Sequence, residues 1–340
     1  MMKPLPFLVL CLMIGATCWA QSPNIVVIIS DDGGYADWEF MDDYLQSVTP
    51  GQAGSPVPTP HLNALRQRGV LFTSAYTAAV CSPSRAAIVT GSYQNRIGYE
   101  YNINNLTGAT AVDGLHPTTA TIFHRMKTAG YTTGAIGKWH LGARADDAGL
   151  GNRPEHMGVD EFFGIWKGSR NYTVGGVTDT GTLRETIREP FSDTVLETRA
   201  PWNTSLNYVT SAFGAGAVAF IDRHHADTDP FFLYVSFTAP HGPIGDSPDI
   251  RDPRIAGLTD KRKQYASMVL TMDKEIGNIL EKLEDPAGDG TDAPNDADSL
   301  TDNTLVIFIN DNGGASGNGT VNTPLRNWKG STYEGGTRVP

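Results

Sequence analysis

The chain has 340 residues, of which 40% are hydrophobic and 19% are charged, and its formal net charge is −11. This composition is typical of a folded globular protein whose core fills one large domain or two. The acidic balance excludes a protein that binds nucleic acid or acidic membrane surfaces, because both need a basic surface.

Residues 1–20 have the pattern of a secretory signal peptide. Lys3 precedes an apolar run over residues 5–16, and the small side chains of Cys18 and Ala20 predict cleavage after Ala20. The run is shorter than the roughly 20 residues that span a bilayer, so we expect no stable membrane insertion. A lipoprotein anchor on Cys18 is an alternative, but residues 15–17 match a lipobox poorly. We therefore expect export to the periplasm or the medium.

Export leaves a single cysteine. Cys11 and Cys18 are lost with the signal peptide, and Cys81 then has no partner in the mature chain. Exported proteins normally pair their cysteines. A lone thiol is therefore either buried and inert or part of the chemistry.

Three apolar runs predict strands buried on both faces, at residues 24–29, 231–237 and 305–309. The last two are separated by an amphipathic helix. Its apolar positions are Tyr265, Met268, Met272, Ile276, Ile279 and Leu283. Further helices are predicted over residues 61–68 and 120–129. Strands alternating with helices predict an α/β fold with a largely parallel sheet.

Each predicted strand ends in polar residues followed by glycine. These are Asp31-Asp32, Pro240-His241 and Asp311-Asn312. One such pair alone is usually a polar turn, but ligands collect beyond the carboxyl ends of parallel strands. Carboxylate and amide oxygens favour a hard cation, Ca²⁺ or Mg²⁺, over zinc. An anionic substrate would need such a metal or a local cluster of cations.

Two other stretches of the sequence have compositions that binding sites can have. Residues 285–302 are acidic but lack the spacing of an EF-hand, and we interpret them as a solvated loop between a helix and a strand. Residues 162–172 mix aromatic and polar side chains, as sugar-binding sites do. The same pattern is equally compatible with a loop that packs on the core.

Six motifs, in family order from about residue 22 to the end, resemble the type I sulfatases. The first two are Ser30-Asp31-Asp32 and CSPSR at 81–85, the latter closed by Thr90-Gly91. The other four are GYTTGAIGKWHLG at 130–142, APHG at 239–242, NDNGG at 310–314 and WKGSTYEGGTRVP at 328–340.

The resemblance implies an alkaline-phosphatase-like domain around a large mixed, mostly parallel sheet flanked by helices. It also implies that Cys81 is converted to formylglycine by a maturation enzyme that reads Pro83 and Arg85. One hydroxyl of the hydrated aldehyde attacks sulfur, and the second drives sulfate release. Family members continue beyond Pro340, so we expect residues 21–340 to be a truncated catalytic domain largely without the small C-terminal domain.

The same resemblance implies roles for individual residues. The metal ligands, for Ca²⁺ rather than Mg²⁺, are Asp31, Asp32, Asp311, Asn312 and residue 81 itself, Cys81 in the translated chain. The cations that hold the aldehyde hydrate and the sulfate oxygens are Arg85, Lys138 and Lys329. His140 is implied as the base on the second hydroxyl, and His241, with Lys329, as the donor to the leaving alcohol.

The expected substrate is a sulfated polysaccharide or oligosaccharide. Two alternatives stay open at this stage. One is a phosphonate or phosphodiester hydrolase that also uses formylglycine beside a metal. The other is an exported metal-binding protein in which Cys81 is never matured.

Overall fold

The computed structural model describes the larger part of the chain. The described residues are 22–51, 56–103, 114–116, 118–142, 152–166, 168–169, 171–172, 184–188, 195–199, 208–290 and 298–340. Of the two segments 184–188 and 195–199, only the backbone is described. The predicted signal peptide lies outside these residues.

The described elements alternate along much of the chain, as the sequence predicts. The strands are β1 Asn24–Ser30, β2 Ala75–Tyr76, β3 Thr132–Lys138, β4 Glu161–Ile165, β5 Arg184–Arg188, β6 Val195–Arg199, β7 Phe231–Ser236, β8 Thr304–Asn310 and β9 Arg338–Val339. The α-helices are α1 Asp42–Val48, α2 Pro60–Gln67, α3 Cys81–Thr90, α4 Ile122–Thr128, α5 Val209–His224, α6 Asp260–Glu284 and α7 Glu334–Thr337.

Seven strands form one mixed sheet in the order β6-β5-β4-β3-β7-β1-β8. The five strands from β4 to β8 in that order are parallel. The pairs β4–β5 and β5–β6 are antiparallel. The predicted α/β architecture with a mostly parallel sheet is confirmed.

Helices cover both faces of the sheet because side chains alternate along each strand. Val26 and Ile28 of β1 face the core cluster that contains residues of α2, α5 and α6. Val27 and Ile29 face a second cluster, which contains residues of α3 and α4. All six apolar positions predicted for α6 are buried.

The prediction that the third strand is buried on both faces is wrong. Among the described strands β8 pairs only with β1 and lies at the edge of the sheet. Leu305 and Ile307 point to the same side and are 51% and 41% exposed. An apolar run of five residues does not distinguish a central strand from an edge strand, because that depends on which strands pair.

The start of β4 is tied to the end of α5 by charged groups. Glu161 accepts hydrogen bonds from Arg223 Nε at 3.1 Å and from His224, whose Nε2 lies 2.8 Å from Glu161 Oε1. Asp227 contacts the other ring nitrogen of His224 at 2.7 Å. Burial opposes the charged form of His224, but these two carboxylates outweigh it and raise its pKa.

We expect this contact to make stability depend on pH. A raised pKa means that protonated His224 stabilises the fold fully below the unfolded value of about 6.5 and loses this effect as pH rises through the folded value. Replacing His224 by glutamine should cost about 1–2 kcal/mol at pH 6 and less at pH 9, measured by urea unfolding. His225→Gln is the control, because His225 is one residue away and its Nδ1 contacts a backbone carbonyl oxygen, that of Asp222, at 2.9 Å. An equal cost at both pH values would contradict the assignment.

Of the described residues, no helix combines the length and the apolar character needed to cross a membrane.

Candidate active site

The carboxyl ends of β1 and β8 bring four predicted ligands together. The two strands pair in register up to Ser30 and Asn310, so Asp31-Asp32 and Asp311-Asn312 leave the sheet side by side. Asp32 adopts a left-handed backbone conformation with φ +66° and donates its N–H to Asp311 Oδ1 at 3.2 Å. All four side chains are buried.

Cys81 is the first residue of α3 and points into this cluster. Its thiol is 1% exposed and donates to Asp31 Oδ1 at 3.4 Å. Lys329 Nζ donates to the same sulfur at 3.1 Å. Burial, together with the charges of Asp31 and Asp311, raises the pKa of the thiol well above its usual value. The thiol therefore stays protonated near neutral pH, and a protonated thiol is a poor nucleophile.

Three cations face the carboxylates. Arg85 Nη2 lies 2.9 Å from Asp311 Oδ2 and 3.5 Å from Asp31 Oδ2, and its Nη1 contacts the hydroxyl of Ser236. Lys138 Nζ contacts Asp31 Oδ2, and Lys329 Nζ lies 2.6 Å from Asp32 Oδ1. Arg85 and Lys138 are fully buried.

These contacts determine which groups are charged. Burial alone would raise the pKa of Asp31, but Lys138, His241 and Arg85 lower it to about 2. Burial would likewise lower the pKa of Arg85, and Asp311 and Asp31 outweigh it and raise that pKa. Asp31 and Arg85 therefore stay charged near neutral pH, which maintains a strong field at residue 81.

His140 lies just beyond β3 and is 6% exposed. It has a φ of +54°, and its Nδ1 has no hydrogen-bond partner among the described residues. Burial, then the charges of Lys138 and Arg85, holds its pKa well below the usual value, so the imidazole is neutral. A Cβ at Gly168 would lie 2.5 Å from His140 Nε2, and only glycine allows the chain to approach the ring this closely.

His241 follows β7, the strand that lies between β3 and β1 in the sheet. Its Nδ1 contacts the carbonyl oxygen of Gly242, which can only accept, so Nδ1 carries a proton. Its Nε2 lies 3.7 Å from Asp32 Oδ2 and faces the cluster. Protonation of Nε2 would make His241 a proton donor at this side of the site.

The residues present fit a divalent cation. Ligand atoms of Asp31, Asp32, Cys81 and His241 lie within 4.8 Å of one another. This group shares three members with the predicted ligand set and contains His241, which the sequence analysis assigns to acid catalysis. Asn312 donates to Asp32 Oδ1 at 2.8 Å, but its buried Oδ1 has no hydrogen-bond partner in the described part of the chain. An unpartnered buried carbonyl oxygen is costly unless it binds a cation or water.

Asp37 supports the loop that carries Asp31 and Asp32, and the sequence analysis missed it. Its buried carboxylate accepts from five donors: Gly34 N, Arg262 Nη1, Tyr265 Oη, Thr320 Oγ1 and Val321 N. It therefore links the turn after β1 to α6 and to the loop after β8. The only hint in the sequence is its position six residues after Asp31 in a glycine-containing turn.

The aromatic side chains of the segment 162–172 are buried, as the packing interpretation predicts. Phe162 and Phe163 are buried in β4, and Trp166 and Tyr172 are 8% and 9% exposed. Lys167 and Arg170 of this segment lie outside the described residues. The acidic stretch that follows α6 begins as a turn at 285–290, and residues 291–297 are likewise outside them.

The fold and the site define an α/β protein with a buried carboxylate cluster that pairs with one arginine and two lysines. The model of the sulfatase family matches residues 23–340, and the chain belongs to that family. The six motifs that resemble type I sulfatases therefore identified the family correctly.

Individual relatives cover almost all of the chain. It is 33% identical over 375 residues to a sulfatase of Formosa agariphila, covering 94% of this chain and 63% of that protein. It is 30% identical to the N-acetylgalactosamine-6-sulfatase of Homo sapiens, covering 96% and 57%. The crystal structure of Ps i-CgsB in complex with k-i-k-neocarrahexaose superposes with a TM-score of 0.74 at 30% identity, covering 94% and 65%. The chain thus spans less than two thirds of the length of each of these relatives.

Proposed function

We propose that this chain is the catalytic part of an exported sulfatase that hydrolyses sulfate esters of polysaccharides or oligosaccharides. The observation that carries the proposal is the setting of residue 81. It sits at the start of α3 between the carboxylate of Asp31 and the ammonium of Lys329. Arg85 and Lys138 both form ion pairs with Oδ2 of Asp31. Such a site suits an anionic ester and a nucleophile other than a thiolate.

The proposal includes two groups that the family implies. Formylglycine at position 81, formed by a maturation enzyme, would supply an oxygen nucleophile, and Ca²⁺ (or Mg²⁺) would lower the pKa of that oxygen and neutralise charge. Asp31, Asp32, Asp311 and Asn312 would hold the cation, together with residue 81. The unpartnered Oδ1 of Asn312 supports this set.

The chain's own residues supply the rest of the chemistry. Lys138 and Lys329 point their ammonium groups at the carboxylates around residue 81, where they would also bind sulfate oxygens. His140 is neutral, as a base must be before it takes a proton. His241 Nε2 faces the cluster at Asp32 and would protonate the leaving alcohol.

The names of two relatives support a carbohydrate as the substrate. One is a sulfatase of N-acetylgalactosamine 6-sulfate, and another structure holds a neocarrahexaose. Export is supported by the signal-peptide pattern of residues 1–20. A sulfated carbohydrate as substrate is therefore part of the same proposal.

The function is tested against its closest alternative by matched substrates. The protein, co-expressed with a formylglycine-generating enzyme, is assayed on 4-nitrophenyl sulfate, on the corresponding phosphate monoester and on a phosphonate ester. We expect the highest kcat/KM on the sulfate. A higher value on a phosphorus ester would favour the phosphonate or phosphodiester hydrolase, and no turnover of any ester would favour the unmatured metal-binding protein.

A second experiment separates the two histidines. If His241 protonates the leaving alcohol, His241→Ala should lose about 10²–10⁴-fold on a sulfated sugar and much less on 4-nitrophenyl sulfate. Nitrophenolate leaves readily without a proton, whereas a sugar alkoxide does not. The measurement is kcat on both substrates. The control is His225→Ala, because His225 precedes β7 whereas His241 follows it. Equal losses on the two substrates would remove His241 from this role.

His140→Ala gives the complementary pattern. A base that acts after the alcohol has left should be insensitive to the leaving group, so kcat should fall by a similar factor on both substrates. A selective loss on the sulfated sugar alone would assign the acid role to His140 instead.

A further inference from the structure

A cavity of about 250 Å³ opens beside His241. Its lining residues are Asn171, Tyr172, Tyr208, Pro243, Ile244, Gly245 and Asp246. None of them has a role in the chemistry described above. They come from three stretches of chain, residues 171–172, residue 208 and residues 243–246, the last of which lies in the loop after β7.

The wall of the cavity is attached to the loop that carries His241, the proposed acid. The hydroxyl of Tyr172 donates to the carbonyl oxygens of Thr238 at 2.6 Å and His241 at 2.8 Å, so the cavity wall is hydrogen-bonded to the backbone of the proposed acid. Pro243 and Ile244 follow His241 by two and three residues. The cavity therefore adjoins the loop on which the proposed acid lies.

The walls combine apolar surfaces with a few polar groups, which is the composition of small-ligand sites. The rings of Tyr172 and Tyr208 stack with centroids 5.4 Å apart and an interplanar angle of 23°. Ile244 and Pro243 add aliphatic surface, which suits the C–H groups of a sugar ring.

The polar groups at the cavity are a carboxylate and an amide. Asp246 is exposed, and its Oδ1 accepts from Gln264 Nε2 at 3.0 Å, which fixes the orientation of the carboxylate. Asn171 provides both a donor and acceptors. The seven described lining residues contain one anion and no cation. A sugar hydroxyl can donate to Asp246, but a sulfate or carboxylate group at the same place is repelled by it.

We propose that this cavity binds the ring of the leaving sugar, and that Asp246 selects rings without a second anionic group. This inference rests on the proposed sulfatase function. In this proposal Asp246, which is not one of the residues around Cys81, gives the protein a preference for singly sulfated sugars.

The test compares matched sugars that differ by one sulfate. The matured protein is assayed on the 4-sulfate, the 6-sulfate and the 4,6-disulfate of N-acetylgalactosamine and on 4-nitrophenyl sulfate. In Asp246→Lys we expect the ratio of kcat/KM on the disulfate to that on the better monosulfate to rise about tenfold, because one charge changes from repulsive to attractive. Asp302→Lys makes the same charge change at the amino end of β8, whereas the cavity lies beyond the carboxyl end of β7. It should leave the ratio unchanged.

A second variant tests the cavity rather than the charge. Ile244→Trp fills part of the space, so the ratio of kcat/KM on the monosulfate to that on 4-nitrophenyl sulfate should fall about tenfold. Thermal unfolding confirms that each variant is folded.

The outcomes separate this proposal from the function on which it rests. If 4-nitrophenyl sulfate is hydrolysed but neither ratio moves, or if none of the three sugars is a substrate, the sugar subsite is wrong and the sulfatase function stands. If no sulfate ester is hydrolysed by the matured protein, both are overturned.

Discussion

Replacing Cys81 by alanine is expected to abolish turnover, with a loss on the order of 10⁴–10⁶-fold in kcat on 4-nitrophenyl sulfate. The side chain of residue 81 lies between the carboxylate of Asp31 and the ammonium of Lys329. Removing it removes the proposed nucleophile, while Arg85, Lys138 and the carboxylates stay in place.

Alanine should not disturb the fold at this position. Cys81 begins α3, where alanine is a favourable helix residue, and its side chain differs only by the sulfur. The effect on activity can therefore be separated from stability by thermal unfolding of both proteins. Cys81→Ser is the matched variant, because it keeps one hydroxyl but cannot provide the second hydroxyl of an aldehyde hydrate. It should also fail in steady-state turnover.

Mass spectrometry of the peptide that contains residue 81 completes this experiment. We expect the aldehyde in protein co-expressed with the maturation enzyme, and activity that rises in proportion to its fraction. Full turnover by Cys81→Ala, or activity that is independent of the aldehyde fraction, would contradict the proposed mechanism.

The second large effect is expected from Asp311. Replacing Asp311 by asparagine or alanine should lower the affinity for Ca²⁺ or Mg²⁺ by on the order of 10–100-fold or more, and kcat with it. Asp31, Asp32 and Asp311 face Arg85, Lys138 and Lys329, so the carboxylates and the cations are balanced before any cation binds. Losing one carboxylate leaves a net positive cluster that repels a dication.

Asp311 also pairs with a fully buried arginine, and this must be separated from its effect on the metal. Without Asp311, Asp31 at 3.5 Å is the one carboxylate that Arg85 keeps among the described residues, and removing one partner of a buried ion pair costs about 3–5 kcal/mol. Asp273→Asn is therefore the matched control. Its carboxylate is also buried, but it accepts from the backbone of His61 and Leu62 at the start of α2, remote from the site.

The measurements are bound metal by elemental analysis and affinity by titration calorimetry. Exhaustive chelation of the unmodified protein should remove activity, and added Ca²⁺ or Mg²⁺ should restore it. A folded Asp311→Asn protein that binds metal as tightly as the unmodified protein would rule out Asp311 as a ligand. A similar loss of metal in Asp273→Asn would attribute the effect to general destabilisation.

Much of the architecture followed from local patterns in the sequence, and most of the candidate site residues followed from the resemblance to the sulfatases. The buried face of α6 was predictable because helix periodicity depends on neighbours three and four residues apart. The bounds of β1 and β7 were predicted to within one residue, because fully buried strands are continuous apolar runs. The motifs at strand ends also indicated where polar ligands collect, since carboxyl ends of parallel strands meet at one edge of the sheet.

The tertiary structure alone decided how these residues face each other. The edge position of β8, the five donors to Asp37 and the burial of Tyr172 all depend on contacts between residues far apart in the chain. The charge states of Asp31 and His140 depend on such contacts too, because burial and neighbouring charges set their pKa values. The spacing of residues in a sequence predicts local structure, but it does not predict the distances between residues that are far apart in the chain. The sequence therefore predicted a set of candidate site residues, whereas their electrostatics and the cavity next to the His241 loop became visible only in the structure.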